Sequence, residues 1–220
     1  MADIKKNIAA SVRQRLLDLT RQNQDDFGIV LVAYALERLV YRLSISDYAE
    51  SFILKGGMLI TLWIEDQKRF TRDIGFLSFG LNDETELVDI FSEILSIEGN
   101  DGCIFDSAAL TAKQIRNDQV YAGIRLKTFA YLDTAKIPIT IDIGFGDAVT
   151  DPEFTVEYPS LLDLPAANIR AYSPATVIAE KFQAIVALGI INGRMKDFYD
   201  IWAIPKSQKI TEMELLAAVT

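Results

Sequence analysis

Every second residue of one nine-residue segment is a large apolar one, in the order Ile137, Ile139, Ile141, Ile143 and Phe145. Because the side chains of a β-strand point alternately to its two faces, this pattern predicts a strand with one face on a hydrophobic core. The intervening residues, Asp142 among them, then project away from that core. The segment therefore predicts both a strand and the direction of one carboxylate.

Apolar periodicity predicts most of the other elements. Helical spacing covers residues 3–23, 28–43, 58–64 and 84–97, and strand patterns cover 74–79, 121–132 and 155–158. Ser173 and Pro174 are typical of the N-cap and first turn of a helix, which runs to about Leu188. A further helix at 196–203 is expected to end at Pro205. Helices at both ends of a central mixed sheet indicate an α/β or α+β fold.

The chain contains no histidine and a single cysteine, Cys103. These counts exclude Ser-His-Asp and Cys-His catalysis, cysteine-based metal clusters and an internal disulfide. A metal held by clustered carboxylates alone is expected to be a hard cation such as magnesium. The net charge of −9 argues against a general nucleic-acid-binding protein.

Positive charge is concentrated near the two ends of the chain. Residues 1–24 contain five basic and two acidic residues, and residues 170–209 contain six basic and three acidic ones. Two interpretations stay open. These regions are solvated helix faces, or they are basic elements that flank an acidic metal site and bind a phosphate-rich substrate.

No apolar run approaches the roughly 20 residues that a membrane-spanning helix needs. The N-terminal segment MADIKKNIAASVRQRL has the pattern of an amphipathic helix and lacks the continuous apolar region of a signal peptide. We therefore expect a cytoplasmic protein without a membrane partner.

Three features have a chemical interpretation when they are taken together. Gly56 and Gly57 open a helix, where they permit close backbone approach and offer N–H groups to a phosphate. Asp73 begins one strand and Asp142 lies on the polar face of another, so the two carboxylates can converge on a divalent metal. Each feature alone is more often an ordinary turn or cap.

Five segments of the chain occur in an order and spacing that resemble AbiEii-type nucleotidyltransferase toxins. They are LKGGMLI, RFTRDIGFL, ITIDIGFGD, SPATVIAEKFQAIV and GRMKDFYDIW, and they extend over about residues 52–202. The resemblance implies a DNA-polymerase-β-like nucleotidyltransferase fold, with a mixed sheet and helical extensions at both ends. We accordingly expect an N-terminal helical extension at 1–50, a nucleotidyltransferase core at 51–160 and a C-terminal helical region at 161–220.

The resemblance also implies roles for individual residues of the core. Gly56 and Gly57 correspond to the turn that holds the triphosphate. Thr71 lies at a position where some family members also have a hydroxyl. Asp73 and Asp142 correspond to the first and the third of the metal-binding carboxylates, and both are expected to be catalytic.

The C-terminal motif of the family corresponds to Lys181 and Asp197, which the resemblance assigns to nucleotide binding and catalysis. Lys181 interrupts an apolar helix stripe, so its ammonium either extends to solvent or points inward and contacts a phosphate. Asp200 shares a helix side with Asp197, but its spacing from Lys196 is also that of a surface ion pair. Arg194 is a further candidate phosphate contact.

The chain departs from the family pattern at Gly75. The family has Asp-x-Asp on this strand, whereas the sequence reads Asp73-Ile74-Gly75. Positions 73 and 75 share a strand face, so Gly75 replaces a metal ligand and leaves two carboxylates, too few to hold two ions firmly. The chain also ends within a helix-like run at 212–219, where longer relatives continue, so a C-terminal part is expected to be missing.

The resemblance implies the toxin of a toxin–antitoxin system, with an antitoxin as its partner. Its activity would be magnesium-dependent transfer of a nucleotide from an NTP to an RNA, which is tRNA in some members, or to a protein. We expect Gly75 to impair that activity. The alternative is a catalytically inactive family member that still binds a nucleotide or the antitoxin.

Overall fold

The computed structural model describes residues 2–64, 70–80, 83–116, 122–146, 149, 151, 153–189 and 193–219. Residue 121, the first of the strand predicted at 121–132, lies outside these ranges. Among the described residues, no helix combines the length and the apolar character needed to cross a bilayer.

Two long helices begin the chain, α1 at Ala2–Asn23 and α2 at Phe27–Ser44. The Asp26 side chain caps α2, because its Oδ1 atom accepts a hydrogen bond of 3.0 Å from the backbone N–H of Ile29. Most residues of α2 from Val30 onward are buried. This helix therefore contributes to the hydrophobic core.

A six-stranded mixed sheet forms the centre of the molecule. Its strands are β1 (Phe52–Lys55), β2 (Ile74–Ser78), β3 (Cys103–Phe105), β4 (Thr111–Arg116), β5 (Ala122–Leu132) and β6 (Ala135–Phe145). The strand order is β1-β2-β6-β5-β3, with β4 also paired to β5. β2 and β6 run parallel, and the other pairs are antiparallel.

The remaining elements lie between and after these strands. They are α3 (Gly57–Trp63), α4 (Glu84–Ser96), the hairpin strands β7 (Thr155–Tyr158) and β8 (Ala167–Arg170), and the helices α5 (Pro174–Leu188), α6 (Met195–Ser207) and α7 (Glu212–Val219). Short 3-10 turns occur at Ala49–Ser51 and Ser107–Ala109. The mixed α/β architecture agrees with the predicted fold class. The division at residues 50 and 160 stays a prediction.

The alternating segment on β6 behaves as predicted. Its four isoleucines are buried, while Pro138 and Asp142 are at least partly exposed. On the neighbouring strands and α4, the rings of Phe52, Phe76 and Phe91 pack edge-on or tilted, with centroids 5.2 to 6.3 Å apart. The apolar face of the sheet therefore packs against α2 and α4 and forms the hydrophobic core with them.

Pro205 does not end α6, contrary to the sequence prediction. The helix continues to Ser207, and the N–H of Gln208 still bonds to the carbonyl of Ile204 at 2.9 Å. Proline lacks a backbone N–H, so one helical hydrogen bond is missing at Pro205 while the helix continues for two more residues. The strands β3, β4 and β8 were not predicted, because they are short and lack clear alternation.

A buried ion pair connects α2 to the strand β3. Arg42 binds both carboxylate oxygens of Asp101, at 2.7 and 3.0 Å, and it also donates to the carbonyl of Cys103 at 2.9 Å. Arg42, Asp101 and Cys103 are all buried. Burial raises the pKa of the Cys103 thiol to about 12.

Candidate functional site

The glycine turn after β1 closely contacts the segment before β2. Gly56 has a positive φ of 77°, a conformation that favours glycine, and it precedes α3. A Cβ atom on Gly57 would lie 2.6 Å from Oγ1 of Thr71, so a larger residue would require Thr71 to shift. The Thr71 hydroxyl donates a hydrogen bond of 2.6 Å to Oδ1 of Asp73. Four of the predicted site residues therefore lie together.

Asp142, the second predicted metal ligand, lies on the strand next to that segment. β2 and β6 pair in parallel, with Gly75 directly opposite Asp142. Asp73 immediately precedes β2 and is exposed, and Asp142 is partly exposed. Asp73 therefore lies just before β2, and Asp142 lies on the neighbouring strand β6 opposite Gly75.

Arg125 on β5 binds Asp142 through both carboxylate oxygens. Its Nε and Nη2 atoms donate hydrogen bonds of 2.7 Å each to Oδ1 and Oδ2. These bonds raise the pKa of Arg125 above its ordinary value, and the charges of Asp142 and Asp73 raise it further. Arg125 is not among the residues predicted from the sequence, because its partner depends on the register between β5 and β6.

The donor set around Asp142 does not fit a two-metal site. Gly75 supplies no ligand atom, and both oxygens of Asp142 are already bound to a cation. Asp73 accepts a hydrogen bond from Thr71. Among the described residues, no group of three or more acidic or cysteine side chains is arranged to hold a metal ion. We therefore assign no catalytic step to a metal here.

Position 75 is also less open than its place on a polar strand face suggests. A Cβ atom there would lie 3.2 Å from the carbonyl oxygen of Lys55 and 3.4 Å from Cγ of the same residue. Such contacts are tight, so any larger side chain requires Lys55 to move by a few tenths of an ångström.

A second cluster contains the predicted C-terminal motif. Lys181 on α5 is buried, and its Nζ atom lies 2.7 Å from Oδ1 of Asp197 and 2.8 Å from Oδ2 of Asp200, both on α6. Of the two open interpretations, the inward orientation of Lys181 is therefore correct. Asp200 is fully buried, so the surface pair with Lys196 is wrong. The i,i+3 spacing of Asp197 and Asp200, which puts both on one side of α6, was the sequence feature that indicated a shared partner.

Arg194 and Lys196 lie at the start of α6, where the cluster meets the surface. The Nε atom of Arg194 is 2.9 Å from Oδ2 of Asp197, while most of its side chain is exposed. The Nζ atom of Lys196 lies 5.7 Å from the ring centroid of Phe70, the neighbour of Thr71. The start of α6 therefore lies close to the segment that contains Thr71 and Asp73.

The sheet and the C-terminal helices are also joined through Lys55. This residue lies opposite Gly75, and its Nζ atom donates a hydrogen bond of 2.5 Å to Glu180, the residue before Lys181. Neither residue of this pair was predicted. The carboxylates of the sheet and the Lys181 cluster thus belong to one continuous region of the molecule.

A cavity of about 250 Å³ lies between α2, α3 and the segment after β7, and Thr71 contributes to its wall. Glu37 also lines it, and its two carboxylate oxygens accept hydrogen bonds of 2.7 Å from the Ser160 hydroxyl and the Leu161 N–H. Burial raises the pKa of Glu37 to about 7, although these hydrogen bonds act in the opposite direction.

Comparison with known proteins places the chain in a family. The model described as "Nucleotidyl transferase AbiEii toxin, Type IV TA system" matches residues 38–220. A search of curated proteins yields no match. The crystal structure of JHP933 from Helicobacter pylori is similar with a TM-score of 0.54 at 15% identity, and the match covers 83% of this chain and 68% of that one.

A second solved structure is an antigenic nucleotidyltransferase-like protein from Paracoccidioides brasiliensis. Its TM-score is 0.49 at 12% identity, with 86% of this chain and 85% of that chain covered. At such identities, the likeness to JHP933 shows a shared fold and nothing more. The family match includes every residue of the two clusters described above. Because that match covers most of its length, the chain belongs to the AbiEii family of nucleotidyltransferase toxins from type IV toxin–antitoxin systems.

Proposed function

We propose that this protein binds an NTP between the Gly56-Gly57 turn and the start of α6, and that Gly75 impairs nucleotide transfer. The observation that supports the proposal best is the run of contacts from Gly57 through Thr71 to Asp73. It connects the turn assigned to the triphosphate with the first assigned carboxylate. Lys196 and Arg194 add positive charge beside this segment.

The parent activity of the site is transfer of a nucleotide from an NTP to an RNA such as tRNA, or to a protein. In such enzymes, magnesium supplies charge neutralisation at the phosphates. In this chain Asp73 and Asp142 are the two carboxylates that would hold a single ion, because the donor set does not fit two ions. Lys181 and Asp197 position the helix α6, and Arg194 contacts a phosphate. We place this activity in the cytoplasm, with a cognate antitoxin as the protein partner.

A second candidate function is a family member that binds a nucleotide or the antitoxin without turnover. Two observations favour it: Gly75 has no ligand atom, and Arg125 engages both oxygens of Asp142. The two candidates share NTP binding and differ in transfer. Separate experiments on binding and on transfer therefore distinguish them.

Binding is tested by isothermal titration of each NTP into the full chain, with magnesium and with EDTA. Because the carboxylates do not fit two ions, we expect binding to persist without magnesium. Arg194→Gln should weaken it by about tenfold, the effect of one lost charge-assisted phosphate contact. Lys206→Gln, on the same helix but in its last turn, is the matched control. Equal affinity in both variants would remove Arg194 from the site, and no heat with any NTP would refute the binding proposal.

Transfer is tested with radiolabelled NTPs, total tRNA and protein acceptors, at millimolar magnesium. We expect the chain as given to incorporate little label, and Gly75→Asp to raise incorporation by about a hundredfold, as expected for several kcal/mol of restored transition-state stabilisation. Gly75→Asn introduces a side chain of the same shape without the charge, so it controls for the tight contact with Lys55. Full activity of the Gly75 form would refute impairment. A folded but inert Gly75→Asp would favour the binding-only candidate.

A further inference from the structure

Five residues form a row across the sheet, one on each of five adjacent strands. Directly opposite one another, in order, are Lys55, Gly75, Asp142, Arg125 and Lys113. Paired residues on neighbouring strands project to the same face of a sheet. The row therefore places three cationic side chains and one carboxylate on a single face, with a gap at Gly75 beside the carboxylate.

Within this row, the contact between Arg125 and Asp142 has the geometry of a strong ion pair. Two parallel N–H···O bonds of 2.7 Å engage both oxygens of the carboxylate. The planar guanidinium binds both oxygens through two parallel bonds, whereas the single ammonium of a lysine cannot form such a pair. The remaining nitrogen, Nη1, takes no part in this contact.

We infer that Arg125 serves as a built-in cation for Asp142 and competes with divalent ions for both oxygens of that carboxylate. The inference rests on the proposed function only in naming Asp142 as a metal-binding carboxylate. A divalent ion that chelates Asp142 through both oxygens must displace these two charge-assisted hydrogen bonds. Gly75 favours Arg125 in this competition. A carboxylate at position 75 would give a divalent ion a second ligand beside Asp142, and glycine gives it none.

Asp142 is the one carboxylate of the row, and Arg125 is the cation that contacts both of its oxygens. Without Arg125, Asp142 would lose both of these hydrogen bonds and would lie beside Gly75, which has no side chain to pair with it. With Arg125 present, Asp142 is neutralised by the protein itself. The same contact that stabilises the face in the absence of metal then lowers the affinity of Asp142 for metal.

The test is a titration of Mn²⁺ into the full chain without nucleotide. Binding is measured as the loss of the electron paramagnetic resonance signal of free Mn²⁺. We expect Arg125→Gln to lower the Kd for Mn²⁺ by about tenfold or more relative to wild type. Arg125→Lys, which keeps the charge and loses the bidentate geometry, should give an intermediate Kd. Lys113→Gln removes the same charge from the next strand of the row and should change the Kd by less than about twofold.

Two further variants make the assignment specific. In the Arg125→Gln background, Asp142→Asn should abolish the added Mn²⁺ binding, and Gly75→Asp should strengthen it. Equal Kd values for Arg125→Gln and Lys113→Gln in folded proteins would overturn the inference, as would added binding that survives Asp142→Asn. NTP titration in EDTA reports on the proposed function separately, so failure of one does not imply failure of the other.

Discussion

Lys55 at the end of β1 donates a hydrogen bond to Glu180 on α5, across 125 positions of sequence. Both side chains are largely shielded from solvent, with 15% and 33% of their surfaces exposed. Because Lys55 also lies opposite Gly75, this contact fixes the C-terminal helices against the sheet face that contains Asp142. The pair therefore links the two halves of the candidate site.

A double-mutant cycle measures the strength of that link. Lys55→Met and Glu180→Gln, separately and combined, should give a coupling free energy of about 1 kcal/mol in urea unfolding, because the pair is partly buried. The pair Arg15–Asp163 is a matched control, at 3.7 Å with a fully exposed aspartate, and should show no measurable coupling. Additive single effects at Lys55 and Glu180 would contradict a fixed contact.

Removal of the Lys181 charge should destabilise the protein strongly. Lys181→Met leaves Asp197 and Asp200 as two buried carboxylates without their shared ammonium, which should cost about 3–5 kcal/mol in chemical denaturation. Additional Asp197→Asn and Asp200→Asn substitutions should recover part of this loss. If Lys181→Met proves as stable as wild type, the cluster does not hold α5 and α6 together, and its role is confined to ligand binding.

The buried ion pair of Arg42 and Asp101 should stabilise the folded protein to a similar degree. Arg42→Met removes both bonds to Asp101 and leaves that carboxylate uncompensated, which should cost about 3–5 kcal/mol of unfolding free energy. Arg21→Met removes an exposed arginine from α1 and is expected to change stability by less than about 0.5 kcal/mol. Comparable losses in the two variants would argue against the special role of Arg42.

Glu37 should make stability fall as the pH rises from 4.5 to about 7. Its pKa rises from 4.5 to about 7 in the folded protein, so in this window the unfolded chain releases a proton that the folded chain retains. The contribution of protonated Glu37 to the free energy of unfolding is fully present below pH 4.5. About 3 kcal/mol of it is lost by the time the pH exceeds 7. The unfolding free energy of Glu37→Gln, compared with wild type at several pH values, should lack this slope.

The chain contains no histidine, so no imidazole titrates in that window. A second variant, Glu157→Gln, changes an exposed carboxylate on β7 and serves as the control. Parallel pH profiles for wild type and Glu37→Gln would contradict the assignment.

Local patterns predicted the elements well where a single face decides burial. The isoleucine alternation of β6 predicted its buried face, and Ser173 with Pro174 predicted the start of α5, where the Ser173 hydroxyl accepts from the N–H of Thr176. Short strands such as β3 and β8 were missed, because pairing with a partner strand decides them and local alternation does not.

Contacts that depend on strand register or helix docking could not be derived from one sequence. Arg125 meets Asp142 only because β5 and β6 pair in one particular register, and a slip of one residue would send the two to opposite faces. The inward orientation of Lys181 could be stated only as one of two options, since α5 has apolar residues on several sides. The burial of Asp200 depends on how α6 docks onto α5.

The shielding of Cys103 has a practical consequence for measuring movement in this protein. Its thiol is buried, and a pKa of about 12 keeps it almost entirely protonated near neutrality, so it should react slowly with maleimides and nitroxide reagents. Because it is the only cysteine of the chain, new cysteines at exposed positions can be labelled selectively without replacing it. Probes at Lys113 on the sheet and Lys206 on α6 would then report, by energy transfer or electron spin distances, whether the C-terminal helices approach the sheet when a nucleotide is added.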